Sequence, residues 1–447
     1  MNSIENILER TCGELPKSPI LRWAAVLFTL FVLALQISLA ASQAFLAGAG
    51  LLYVIHLLRD RPKVLFLPIK LPLALFCILS TVSIFWAANP TAGWFAIRKF
   101  VLFLIWLLAV NLVVSADQLR RLLLNFFLVS FLTSLVGIAQ FIIQYRDARA
   151  HHSGELYHYL TSARIHGFMG HWMHFGGQQM MVFVFLLAFL LLSSGRQSKI
   201  EIRNSEAERR TSSSEFRISA FWWILLGLVT LSIILSFTRG VWLGCFLAGV
   251  YLLARWKPKW LLAMPILLAL AYVGAPSLLR ERVHLAMHPT HEPALSIRLE
   301  MWHVALRMIR THPWVGVGPN NIEEAYDLYL PPGKTPEVGY HSHFHNDYLQ
   351  FGAERGLPCL AAWLWLMAAL GWYTWKLRRR LSTQRWIADA SLAAWLAFLA
   401  EGCFEFNFGT SPVLMVFLFV TSTPFIAARV VPSGKGSENT DDTAPTR

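Results

Sequence analysis

The densest group of side chains able to do chemistry is the run His341-Ser342-His343-Phe344-His345-Asn346-Asp347. In an extended segment its three imidazoles share one face, whereas in a helix only His341 and His345 do. Three uses of such a run compete. It can hold a metal ion, although no Glu-x-x-His or cysteine partner accompanies it. It can be a surface cluster without a role. Or it can move protons, since neutral histidine accepts a proton near pH 7 and a carboxylate such as Asp347 or Glu354 would orient the ring. Proton transfer fits the residue types best, and no metal is expected.

Arginines form the second group. Arg239 stands in Ser236-Phe237-Thr238-Arg239-Gly240-Val241-Trp242, between two apolar blocks. It either snorkels to lipid headgroups or makes an anion site near the membrane surface, with Gly240 admitting a ligand close to the backbone. Arg298 and Trp302 fall on one face of a helix expected from Ser296 to Arg310, with Ser296 as its N-cap and His312-Pro313 just beyond its end. That helix either lies on the membrane as an amphipathic element or presents Arg298 to a phosphate. Arg164, ahead of His166-Gly167, faces the same pocket or meets anionic lipid. Glu401 and Glu405, four positions apart on one helical face, are either proton-linked groups or partners for a buried arginine. Gly316-Val317-Gly318-Pro319-Asn320 reads as a tight turn.

A membrane must position these groups. Of 447 residues, 55% are hydrophobic and only 15% charged. A globular surface normally needs about a quarter charged residues, so an ordinary soluble, disordered or collagen-like chain is excluded. The apolar residues fall in blocks of about 20, the length that crosses a bilayer as one helix. The stretch from Trp23 to Leu58 suits two crossings. Further blocks run from Leu71 to Ala88, Val101 to Ser115, Leu122 to Ile143, Trp172 to Leu192 and Ile218 to Phe237. The last five run from Val241 to Ala254, Trp260 to Leu279, Leu357 to Trp375, Trp386 to Phe406 and Pro412 to Ala428. The expected fold is therefore an all-α polytopic membrane protein of about 12 transmembrane helices, with a large outer loop containing short helices. Five widely spaced cysteines without a CxxC pair indicate neither a disulfide framework nor a zinc ribbon. The first apolar run exceeds the 7 to 15 residues of a signal-peptide core and reads as an uncleaved span.

Charge sets the orientation. Thirty-nine Lys and Arg against 26 Asp and Glu give a net charge of +13. With both ends in the cytoplasm, Arg59, Arg61, Lys63, Arg120, Arg121, Arg255, Lys257, Arg378, Arg379 and Arg380 all fall in inner loops, as the positive-inside rule requires. The surplus is a topology signal, and no nucleic-acid partner is needed to explain it. Residues 1–22 are then a cytoplasmic N-terminus, and residues 23–192 hold the first six spans with an outer loop at 144–171. Residues 193–217 form a polar cytoplasmic loop, 218–279 spans seven to nine, 280–356 a large outer loop, 357–428 the last three spans and 429–447 a disordered tail. Long loops in compact domains are uncommon and usually functional, so chemistry is expected in the two outer loops.

From Ser236 to about Trp365 these residues resemble the O-antigen ligase and polymerase superfamily of bacterial inner-membrane glycosyltransferases. The likeness rests on Thr238-Arg239-Gly240, on Arg298 with Trp302, on His312-Pro313-x-x-Gly316-x-Gly318, and on His345-Asn346 followed after nine residues by Gly356. Cys359 departs from the Gly, Thr or Tyr that family ligases carry there. The resemblance implies cofactor-free, metal-independent transfer of a glycan from an undecaprenyl diphosphate carrier to an acceptor hydroxyl at the periplasmic face, with inversion. It implies that His345 removes the hydroxyl proton while Arg239 and Arg298 neutralise the diphosphate. Arg164, Trp302, His343, Asn346, Asp347 and Gly356 are the implied substrate-binding positions. A lipid A-core sugar, a growing glycan and a protein hydroxyl remain open as acceptors. A glycan or lipid transporter is the reading from another class; such proteins often show two related halves, and the chain shows none.

Overall fold

The structure is a computed structural model that describes residues 8, 10–151, 155–193, 220–287, 293–336, 342–382 and 384–430. Nearly all of the polar insert expected at 193–217, the C-terminal tail and His341 lie outside the described residues. Among the described residues all regular structure is helical. Helices α1 (Pro19–Ala34) and α2 (Leu39–Asp60) form a hairpin, and α3 (Lys70–Val82), α4 (Pro90–Ile97) and α5 (Leu104–Leu112) follow with 3₁₀ turns between them. Then come α6 (Ala116–His151), α7 (Leu156–Ser162), α8 (Trp172–Leu192), α9 (Ala220–Leu235), α10 (Arg239–Trp256) and α11 (Met264–Gly274). Between membrane segments lie α12 (Ser277–Met287), α13 (Pro293–Thr311) and α14 (Ile322–Ala325). The chain ends with α15 (Asp347–Arg380), α16 (Arg385–Glu401) and α17 (Ser411–Val430).

Among the described residues six segments are long and apolar enough to cross a membrane, and four further apolar helices are shorter. This is an all-α polytopic membrane protein. Its element bounds depart from expectation at several points, three of which bear on the site. The block from Leu71 to Ala88 is α3 continued by a 3₁₀ turn at Ser83–Trp86. Helix α6 runs on to His151, through the expected start of the outer loop at Gln144. Helix α13 begins at Pro293, where a residue lacking N–H costs nothing in the first turn, so Ser296 sits inside the helix instead of capping it.

Helices α8 and α17 form the centre, with 78% of each apolar window buried inside the protein against 33% for α2, whose sides are left to lipid. Helix α10 closes on this centre at Gly244. A Cβ there would stand 2.4 Å from Met180 Sδ and 3.0 Å from the Ala397 carbonyl, so only glycine lets α10 meet α8 and α16 at backbone distance. At one end of the bundle Asp389 accepts hydrogen bonds from Tyr251 Oη at 2.8 Å and Arg378 Nε at 2.5 Å, with Arg255 Nε at 3.8 Å.

Toward the other end α15 is broken at Gly356, whose φ of 80° and ψ of 167° no helix interior allows. The break frees the Ala353 carbonyl, and Pro358 has no N–H for the Glu354 carbonyl. Both acceptors are satisfied from the turn after α13: Val317 N donates to Ala353 O at 2.9 Å and Gly318 N to Glu354 O at 2.8 Å. In exchange Leu357 N donates to Pro313 O at 2.7 Å. The turn Gly316-Val317-Gly318 thus docks the outer loop onto α15.

Candidate active site

The start of α15 is strapped to the 402–410 turn that follows α16. Asn346 Oδ1 accepts from Leu349 N at 2.9 Å, capping the helix, while its Nδ2 donates to Cys403 O at 2.9 Å. Asp347 N donates to Gly402 O at 2.7 Å, and Asp347 Oδ1 accepts from Phe408 N at 3.1 Å. Just ahead of this strap His345 has a φ of 47°, in the left-handed region that few residues enter. Its Nδ1 lies 3.0 and 3.2 Å from the two carboxylate oxygens of Glu405. His343 Nε2 lies 3.6 Å from the same carboxylate, and the two imidazoles stand 4.3 Å apart.

Glu405 is buried. Burial pushes its carboxyl upward, but the contacts and charge of His343 and His345 outweigh that and hold it well below the usual carboxylate range. The carboxylate that orients His345 is therefore neither Asp347 nor Glu354. Asp347 is spent on the strap, and Glu354 accepts from Asn320 N and Gln350 Nε2, each at 2.8 Å. Glu401 ends α16 and Glu405 stands in the turn beyond it, so the two do not share a helical face.

Glu401 and Glu405 nevertheless line one cavity of about 390 Å³, together with Phe404, Arg164, Arg239, Arg282 and Arg298. Four chain segments supply the arginines. Arg239 is the first residue of α10, where unpaired N–H groups favour an anion. Arg298 comes from α13 and Arg282 from α12. Arg282 is buried, donating to Phe237 O at 3.2 Å and to Tyr157 Oη at 3.4 Å. Arg164 donates to Thr161 O at 2.6 Å and lies 5.0 Å from the Trp172 ring. Burial first, then the charges of Arg282, Arg239 and Arg298, lower Arg164 to about 10. The cavity therefore concentrates positive charge that an anionic ligand would relieve.

The structure thus brings Arg164, Arg239 and Arg298 to one wall, and His345 and His343 join them through Glu405 without lining the cavity themselves. Trp302 donates its indole N–H to Phe344 O at 3.1 Å and packs 6.4 Å from the Phe404 ring, holding the histidine segment against the wall. Asn346 and Asp347 act in the strap. Gly356 lies at the helix break, away from the cavity. One site residue escaped the sequence reading, and one was assigned the wrong partner. Arg282 sits in Arg280-Glu281-Arg282, where no spacing marks it out, and Glu405 offered no sign that its partner was an imidazole. The nitrogen and oxygen atoms of His343, His345 and Glu405 all lie within 4.8 Å of one another, close enough to hold a cation.

Fold and site together define a membrane protein with an arginine-lined cavity beside a half-buried histidine paired with a buried carboxylate. Residues 223–364 match the family model described as O-antigen ligase, which supports the O-antigen ligase superfamily and a ligase- or polymerase-type membrane glycosyltransferase. No curated protein matches the chain. The matched stretch contains Arg239, Arg282, Arg298 and His345, while Arg164 and Glu405 lie beyond it on either side.

Proposed function

We propose that the protein transfers a glycan from undecaprenyl diphosphate to an acceptor hydroxyl at the periplasmic face of the bacterial inner membrane. One observation carries this reading: four guanidinium groups line the same cavity as Glu405, the carboxylate that holds His345. Such a cavity suits a diphosphate, whose oxygens match the planar donor fork of arginine. An imidazole whose Nδ1–H is committed to a carboxylate keeps Nε2 for a proton.

In the proposed step the acceptor oxygen attacks the anomeric carbon, and the bond from that carbon to the diphosphate oxygen breaks. The electron pair leaves with undecaprenyl diphosphate, and the hydroxyl proton passes to His345 Nε2. Glu405 stabilises the imidazolium, and the arginines stabilise the charge growing on the leaving group. The diphosphate is already a competent leaving group. A covalent enzyme intermediate is not required, so the anomeric configuration inverts.

Two further features support the reading. The basic residues Arg255 and Arg378 meet Asp389 at the opposite end of the bundle, which by the positive-inside rule faces the cytoplasm. An open groove of about 510 Å³ along α6, lined by Phe141, Ile142, Tyr145 and Arg146, gives an isoprenoid a route from the bilayer. The Phe141 ring lies 6.3 Å from Phe237, whose carbonyl is held by Arg282.

The test is product formation by the purified protein in lipid nanodiscs, given an undecaprenyl-diphosphate glycan and, in separate reactions, a lipid A-core, a glycan and a protein acceptor. The expected result is transfer to one of them that persists in EDTA. Loss in EDTA with recovery on adding zinc would make His343, His345 and Glu405 a metal centre instead. Flux of the lipid-linked glycan across vesicles without any product would make the protein a transporter.

A further inference from the structure

A second cavity, of about 150 Å³, is lined by Phe406, Phe408 and Gly409 of the 402–410 turn that carries Glu405. Phe406 links this cavity to the histidine pair: its N–H donates to Glu405 Oε1 at 3.2 Å, its ring lies 6.2 Å from His343, and it lines the cavity. Phe95, Phe100 and Phe351 supply further aromatic wall, while Lys99, Glu354 and Arg355 supply polar groups.

Arg355 lines this cavity with part of its hydrogen-bonding capacity unspent. It is only 8% exposed, lies against the Phe351 ring at 4.9 Å, and approaches Glu354 at 3.7 Å. Its Nη1 reaches Ser80 Oγ at 3.4 Å, but its Nε is buried with no hydrogen-bond partner. A guanidinium has five N–H donors, and leaving donors buried and unmet is costly. A guanidinium at the wall of a cavity suits a ligand rich in acceptor oxygens. The aromatic walls add a requirement for apolar C–H surface on that same ligand.

We infer that this second cavity is a saccharide subsite that holds the acceptor sugar beside the turn that carries Glu405. A sugar ring offers hydroxyl oxygens at its edge and C–H bonds on its faces, and the volume admits about one ring but no lipid chain. The acceptor role rests on the transfer reading above; saccharide binding does not.

The experiment is saturation-transfer NMR on the detergent-purified full chain, with methyl glycosides of glucose, galactose and N-acetylglucosamine as probes and undecaprenyl diphosphate binding measured in parallel. At least one glycoside should receive saturation on its ring protons. That signal should fall by about fivefold or more in Lys99→Gln, and likewise in Phe95→Ala, a loss of about 1 kcal/mol or more. Phe95 is exposed, whereas Lys99 donates to the Gly409 carbonyl, so circular dichroism and the unfolding midpoint of each variant confirm that the fold is native, and the Phe95→Ala result stands independently of that turn. Arg282→Gln, in the cationic cavity, should leave the signal intact and weaken the lipid instead. No saturation of any glycoside in the native protein would overturn the inference. So would a signal that survives Lys99→Gln and Phe95→Ala but vanishes in Arg282→Gln, because the sugar would then occupy the arginine cavity. Sugar binding that depends on Lys99, in a protein that does not bind undecaprenyl diphosphate, would uphold the subsite while overturning the transfer reading.

Discussion

His345 and Glu405 stand 60 positions apart in the chain, yet one imidazole nitrogen lies within 3.2 Å of both carboxylate oxygens. The strap from Asn346 and Asp347 to the 402–410 turn holds this pair in register. An imidazole so held has one tautomer and one nitrogen available for proton transfer. His345→Ala should lower the transfer rate by about 10²- to 10⁴-fold, the usual range for a positioned base. Glu405→Gln should lose less. The double variant should be no worse than His345→Ala alone, because the two act as a unit. Multiplying losses would show that Glu405 acts independently of His345.

The arginine cavity predicts how the donor is held. Arg239→Lys keeps the charge but loses the planar fork. Its affinity for undecaprenyl diphosphate should fall about tenfold or more, since hydrogen bonds to charged groups are worth about 1.5–3 kcal/mol. Arg282→Gln should fall at least as far, although no motif marks that position. Equilibrium binding of the lipid in detergent checks both, and native affinity in Arg282→Gln would remove it from the site.

Acid should reveal the state of Glu405. Its carboxyl is held below the unfolded value of about 4.3, so the native state favours the charged form. The associated stability is fully present above that value. It is lost as pH falls through the lower native value. Thermal unfolding followed from pH 7 downward should show a steady midpoint until about pH 4 and then a decline, and Glu405→Gln should flatten that decline.

Gly356→Ala should fail structurally rather than chemically. A Cβ there would stand 2.4 Å from the Trp314 carbonyl at a φ of 80°. The conformation alone costs about 1–3 kcal/mol outside glycine, and the contact adds to it. A lower unfolding midpoint and an outer loop newly open to protease would be the signs. A native-like midpoint would mean that the break at α15 is looser than drawn.

At the other end of the bundle, Asp389→Ala would leave Arg378 buried without its carboxylate. Removing one member of a buried pair typically costs about 3–5 kcal/mol. The unfolding midpoint should drop while undecaprenyl diphosphate affinity in the surviving folded fraction stays native. A fall in that affinity would couple the two ends of the bundle.

Much of the architecture was legible from composition. Apolar blocks of bilayer length yield helices whatever their neighbours, because a backbone in lipid must satisfy its own hydrogen bonds. Element ends were less legible. Nothing local told α6 to stop at Gln144, and Pro293 opened α13 ahead of the better-known capping type at Ser296. Arg239 was legible because a cation beside an apolar block is costly enough to mark itself, Arg298 because it shares a helical face with Trp302, and Arg164 because it closes an outer segment just ahead of a span. Arg282 was not, since a mixed-charge run looks the same whether its arginine faces water or a cavity.

By itself, then, the order of residues determined an all-helical membrane chain, the helix termini rich in arginine, and an imidazole run in a long loop, because each follows from local hydropathy and residue chemistry. Tertiary structure decided which carboxylate meets His345, that Arg282 completes the cationic wall, and that Gly316-Val317-Gly318 repairs the break at Gly356. These are contacts between segments far apart in the chain. Periodicity and spacing act over a few turns of helix and hold no information on which distant segment fills a given gap; that is settled only when the helices pack.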